Sequence, residues 1–203
     1  MKRALTLILA TAFVLLAQAG AYGQARSVKG QVLISTSLPA IRMRFDRKLK
    51  YVGSQKFILY GRAQAEQHFF VEADARRRIR RMYMLQFEGY LPGVAASYNY
   101  EAKETISLDG ADYIVNVENV PNVKAALAQQ PESDAARAVS FIEGKGYHVP
   151  ESVRYQRFVR LVDDSKRNEF IMLYIEDAGT TPADEESMGE FRARALNGFV
   201  VLK

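Results

Sequence analysis

The sequence contains no cysteine. That absence excludes disulfides, thiolate metal sites and cysteine nucleophiles together, and with them the lipid-attachment cysteine that an envelope lipoprotein carries behind its apolar leader. Histidine is scarce: His68 and His148 are the only two, so any imidazole-based triad must use one of them, and neither has a serine in a nucleophile turn. No G-x-S-x-G elbow, P-loop, H-E-x-x-H, dinucleotide fingerprint or calcium-loop pattern occurs. Catalysis is therefore not indicated by any motif, and no cofactor is expected. Beyond the N-terminus there is no long apolar run, so no transmembrane anchor is expected.

The N-terminus has a leader pattern. Lys2 and Arg3 form a positive start, and Ala4 to Ala17 follow as an apolar stretch broken only by Thr6 and Thr11. This has the length of a secretory h-region and is too short to span a bilayer. Small residues at Ala19, Ala21, Gly23 and Ala25 offer cleavage between residues 21 and 25. The expected organisation is a signal peptide over 1–23 and a single domain over 24–203, periplasmic or secreted after cleavage. Without disulfides this domain must rely on its core, and roughly 180 residues suffice to bury one.

The chain has 28 basic and 23 acidic residues; losing Lys2 and Arg3 leaves 26 against 23, a net +3. Such a balance gives little argument for a nucleic-acid partner, and the clustering of charge is more informative than its sum.

Period-two alternation of Val, Ile, Phe and Tyr over Val28–Glu118 predicts strands at 30–37, 45–52, 56–63, 66–73, 79–88, 101–108 and 111–118. Asp109–Gly110 fits a two-residue hairpin turn, with Gly53–Ser54 and Asp74–Arg77 as further turns. After Pro121 the pattern changes. Ser133 caps a predicted helix ending at Gly144–Gly146, with Ala135, Ala138, Val139 and Ile142 on one stripe. Strands follow at Val153–Asp163 and Glu169–Asp177 around a turn at Asp164–Asn168. A last helix is predicted from Thr181 as cap and Pro182 as first residue, with Met188, Phe191 and Ala195 as its apolar face and Asn197–Gly198 as its end. Strands first and helices late imply an α+β fold: a curved, mainly antiparallel sheet of about six to nine strands with two late helices packed on or beside it.

Three features could carry chemistry. The first is a basic patch, Arg76, Arg77, Arg78, Arg80 and Arg81, with a second run at Arg42, Arg44, Arg47, Lys48 and Lys50. Arginine forks hold phosphate and carboxylate bidentately, although charges at a hairpin end equally serve to keep an edge solvated. The second is His68, which alternation places on one strand face with Glu66, Phe70 and Glu72. His68, Glu66 and Glu72 are candidate metal ligands, and His68 a candidate base, but same-face neighbours lie roughly 7 Å apart, so a partner strand must complete any site. The third is the strand containing Met82, Tyr83, Met84, Leu85, Gln86, Phe87 and Glu88, apolar on both faces, as a central strand with a core on one side and a cavity or helix on the other would be.

The expected function is an exported binding module for a small amphipathic or anionic ligand, lipid-like or polyanionic, using His68, Phe70, Arg81, Tyr83, Phe87 and Glu88. A hydrolase or metal-dependent enzyme using His68 with a nearby carboxylate is the alternative, and an envelope structural or adaptor protein contacting a polymer or protein partner is the third reading.

Overall fold

Asp109 and Gly110 turn as their residue types demand: both take positive φ, 50° and 77°, and they join β7 (Thr105–Leu108) to β8 (Ala111–Val120). The computed structural model describes residues 25–101, 104–179 and 184–203. Its antiparallel strands form two sheets. One has four strands in the order β1 (Arg26–Lys29), β2 (Val32–Thr36), β3 (Ala40–Phe45) and β11 (Phe199–Val201). The other has seven, in the order β4 (Lys50–Leu59), β5 (Ala63–Ala73), β6 (Ile79–Tyr90), β10 (Asn168–Asp177), β9 (Val153–Leu161), β8 and β7. Neither sheet closes on itself, and helices α2 (Asp134–Gly144) and α3 (Glu185–Asn197) come late in the chain as the pattern predicts. None of the described helices is long and apolar enough to cross a membrane.

The seven-stranded sheet is apolar on both faces because it is covered on both. One face presents Phe70, Tyr83, Phe87, Phe170, Met172 and Tyr174 to Leu33, Met43, Phe45 and Phe199 of the smaller sheet and to Phe191 and Ala195 of α3. The Phe45 and Phe70 rings stack with centroids 4.1 Å apart. The other face carries Phe69, Val71, Met82 and Met84, and meets Ala138 and Ile142 of α2. The stripe predicted for α2 thus points at the sheet. Its cap is also as expected, since Ser133 Oγ accepts from the Ala136 amide at 3.2 Å. Ser133→Ala is expected to cost about 1 kcal/mol, visible as a lower denaturation midpoint with an unchanged slope.

Several local expectations change. Gly53–Ser54 is not a hairpin turn: β4 runs straight through it, with a register shift between Tyr51 and Gly53. Gly53 has φ 129°, and a Cβ there would stand 3.1 Å from the Phe141 ring, so this glycine makes a bulge that accepts α2. The 45–52 strand is instead divided, with β3 ending at Phe45 and β4 starting at Lys50, and the next turn falls at Tyr60–Gly61, both at positive φ. The last helix is capped by Asp184, whose side chain accepts from the Ser187 amide at 2.8 Å. The predicted cap Thr181 and first residue Pro182 lie outside the described residues. Gly198 does end α3, but at φ −81°. What it supplies is space, because a Cβ there would overlap the buried Tyr83 ring and hydroxyl.

Candidate functional site

Cross-strand register separates the residues singled out in the sequence. His68 lies opposite Leu85 and Glu72 opposite Arg81, on the face that meets the smaller sheet, whereas Glu88 lies opposite Ala65 on the helix-covered face. His68, Arg81 and Glu88 therefore do not converge. Phe70 and Tyr83 are fully buried and Phe87 nearly so, in the inter-sheet core.

His68 is 1% exposed and both its ring nitrogens are occupied: Nε2 lies 2.9 Å from Glu66 Oε1 and Nδ1 lies 3.1 Å from the Tyr51 hydroxyl. Burial pushes the Glu66 carboxyl up, but the hydrogen bond from His68 and the charges of Arg26, His68 and Lys56 outweigh it and bring the pKa down to about 2. With Glu66 an anion, His68 Nε2 donates to it. Arg26, which the sequence reading passed over, donates to Glu66 at 3.1 Å and lies over the Phe87 ring at 4.0 Å. Glu72 is engaged by Arg81 Nε at 2.6 Å. This is a hydrogen-bonded polar island within the core, in which Arg26 Nε alone of these groups is buried without a partner among the described residues. Among the described residues, no three His, Asp or Glu side chains are grouped to hold a metal ion.

The helix-covered face is different. α1 (Val123–Gln129), a helix absent from the sequence expectations, is capped by Asn122 and buries none of its residues. Between it, α2 and the sheet lies a cavity of about 390 Å³. Its floor is Met82, Met84, Ile171, Leu173 and Ile175, and its roof includes Val123, Ala126, Leu127 and Val139. Leu173 and Ile175 stay only half-buried on a central strand, because none of the described residues fills the space above them.

The lining also includes polar side chains: Glu118, Tyr155, Arg157, Gln130, Ser133 and Asp134. The carboxylates there are engaged by neighbours. Glu118 accepts from Tyr155 at 2.5 Å and from Asn116 at 2.7 Å, and Asp134 accepts from Gln86 at 3.1 Å and from the Ala135 amide at 2.8 Å. Arg157 is the exception. Its Nε donates to Asn116 Oδ1 at 2.9 Å, and its two terminal nitrogens have no hydrogen-bond partner among the described residues.

Through Gln86, which donates to Asp134, the lining connects to a second polar network. Gln55 donates to Gln67, Gln67 to Gln86 and Gln86 to Glu88, at 2.7, 2.6 and 2.6 Å. Tyr98 donates to Glu88 at 2.8 Å and Tyr100 to Glu169 at 2.5 Å, so the segment after β6 is tied to the sheet through two carboxyls that face each other across β6 and β10. Burial pushes the Glu169 carboxyl up to about 7; the nearby charges of Glu88 and Asp134 add to this, while Tyr100 and Arg157 oppose it. Burial raises Glu88 in the same direction.

Arg76, Arg77, Arg78 and Arg80 are exposed around the β5–β6 turn. Arg78 pairs with Asp177 at 2.9 Å. Arg81 is mostly covered and reaches Asp46 at 3.5 Å as well as Glu72.

The sequence signal for the cavity was the two-sided apolar pattern around Met82 and Met84; Arg157 and α1 carried no comparable signal, because a lone arginine in a strand and a seven-residue helix are individually unremarked. Compared with known proteins, the chain matches no family model, no curated protein and no solved structure.

Proposed function

We propose that this protein is an exported binding module whose cavity beneath α1 and α2 holds a small amphipathic molecule with an anionic head. Export rests on the leader pattern of Lys2, Arg3 and the apolar stretch to Ala17. The observation that carries the binding reading is the cavity itself: about 390 Å³, floored by methionine, leucine and isoleucine, and lined by the Arg157 guanidinium, whose terminal nitrogens have no hydrogen-bond partner among the described residues. Ligand sites commonly measure ~300–1,000 Å³ and combine an apolar lining with a few placed polar groups. Apolar burial would supply most of the affinity, and Arg157, whose terminal nitrogens have no hydrogen-bond partner among the described residues, would orient a carboxylate or similar group.

Calorimetric titration with decanoate and with uncharged decanol tests this. Decanoate is expected to bind saturably, and Arg157→Gln to weaken it about tenfold or more while leaving decanol unchanged, since a hydrogen bond to a charged group contributes about 1.5–3 kcal/mol. Absence of binding by both probes, or equal decanoate affinity in the variant, would overturn the reading.

A further inference from the structure

The two basic runs that the sequence separates by some thirty residues meet in a cleft. Lys48 comes from the turn after β3, Lys50 from the start of β4, and Arg77 from the tip of the β5–β6 hairpin; together with Tyr147 they line a recess of about 290 Å³. This recess shares no lining residue with the cavity beneath α1 and α2.

Arg77 is held in place and is not a freely solvated side chain. Its guanidinium lies 4.5 Å over the Tyr147 ring, and Nη2 donates to the Lys145 carbonyl at 3.1 Å. Stacking fixes the plane of the fork and leaves its remaining N–H groups free to donate. Gly146 packs beside it with no side chain to intrude, since a Cβ there would sit 3.6 Å from Arg77 Nη1. The one carboxylate lining the recess, Asp74, is engaged at Oδ1 by its own turn, accepting there from the amides of Arg76 and Arg78 at 2.9 and 3.0 Å. Lys48, Lys50 and Arg77 form no ion pair with any carboxylate among the described residues.

We infer that this cleft binds a phosphate group, with Arg77 as the oriented fork and Lys48 and Lys50 as flanking point charges. The charges come from two places in the chain and converge on a recess, whereas a solvated hairpin end needs neither the convergence nor the fixed arginine. A dianionic phosphate, free or carried as a lipid headgroup, matches three cations set against one carboxylate engaged by its own turn.

The test uses the intact protein at low ionic strength with two probes: inorganic pyrophosphate by calorimetry, and phosphatidic acid in phosphatidylcholine vesicles by sedimentation. Saturable binding of pyrophosphate points to a free phosphate ligand; binding of the vesicles, competed by pyrophosphate, points to a headgroup. In either arm Arg77→Gln and the double variant Lys48→Gln/Lys50→Gln are each expected to weaken binding about tenfold or more. Arg76→Gln, outside the recess, is expected to leave it unchanged. Should Arg77→Gln fail to fold, the lysine pair decides. No binding of either probe, or equal losses for Arg76→Gln and Arg77→Gln, would overturn the inference.

Discussion

Phe70→Ala is expected to lower stability by about 3–5 kcal/mol while leaving the affinity of the folded fraction for decanoate unchanged. The ring is completely buried, stacks on Phe45 with centroids 4.1 Å apart and meets Tyr51 at 5.2 Å. Removing it opens a void between two sheets whose other contacts there, Tyr83 and Phe199, are themselves pinned by neighbouring rings, so the site has little room to collapse. The alternation that put Phe70, Tyr83 and Phe87 forward as a ligand surface is the same alternation that builds this core. Chemical denaturation paired with calorimetry separates the two roles. A loss of stability without a loss of affinity assigns Phe70 to the core; a loss of affinity at unchanged stability would move the binding site to the inter-sheet face.

Stability is also expected to pass through a maximum near pH 5, with opposite causes on its two sides. The folded-state pKa of Glu169 is about 7, against 4.5 when exposed, so the folded protein retains a proton that the unfolded chain releases. Stability therefore falls as pH rises from about 4.5 to 7, by up to about 3 kcal/mol from this group. Glu66 behaves inversely: its pKa of about 2 means that stability present above 4.5 is lost as pH falls toward 2. Urea midpoints measured across this range should rise and then fall. Glu169→Gln should flatten the high-pH side and leave the low-pH side intact, and a wild-type curve still rising between pH 5 and 7 would contradict the account. Glu88, raised by burial and facing Glu169, steepens the same limb.

Much of the framework was legible residue by residue. Asp109–Gly110 announced its hairpin because its positive φ angles are accessible to few residue pairs, and Ser133 announced α2 through its cap. Gly53–Ser54 misled because a glycine at positive φ reads the same in a turn and in a bulge; only the approach of Phe141 from a helix some ninety residues later distinguishes them. The apolar face of β6 foretold cover on both sides, but which side would be filled depends on how closely α1 packs, and α1 buries nothing. Arg157 became notable only when Asn116 claimed its Nε and left the terminal nitrogens unpartnered. Likewise, the basic runs acquired a recess only when the turn after β3 came beside the β5–β6 hairpin. These are properties of elements brought together by tertiary packing, and no local pattern encodes them.

The space beneath α1 and α2 is the proposed ligand cavity. Methyl-resolved NMR during a decanoate titration addresses it without altering the protein. Shifts concentrated on Met82, Met84, Leu127, Leu173 and Ile175, with Leu33 and Met43 of the inter-sheet core unmoved, are the predicted result. Shifts centred on Leu33 and Met43, or a titration that moves none of these methyls, would contradict it.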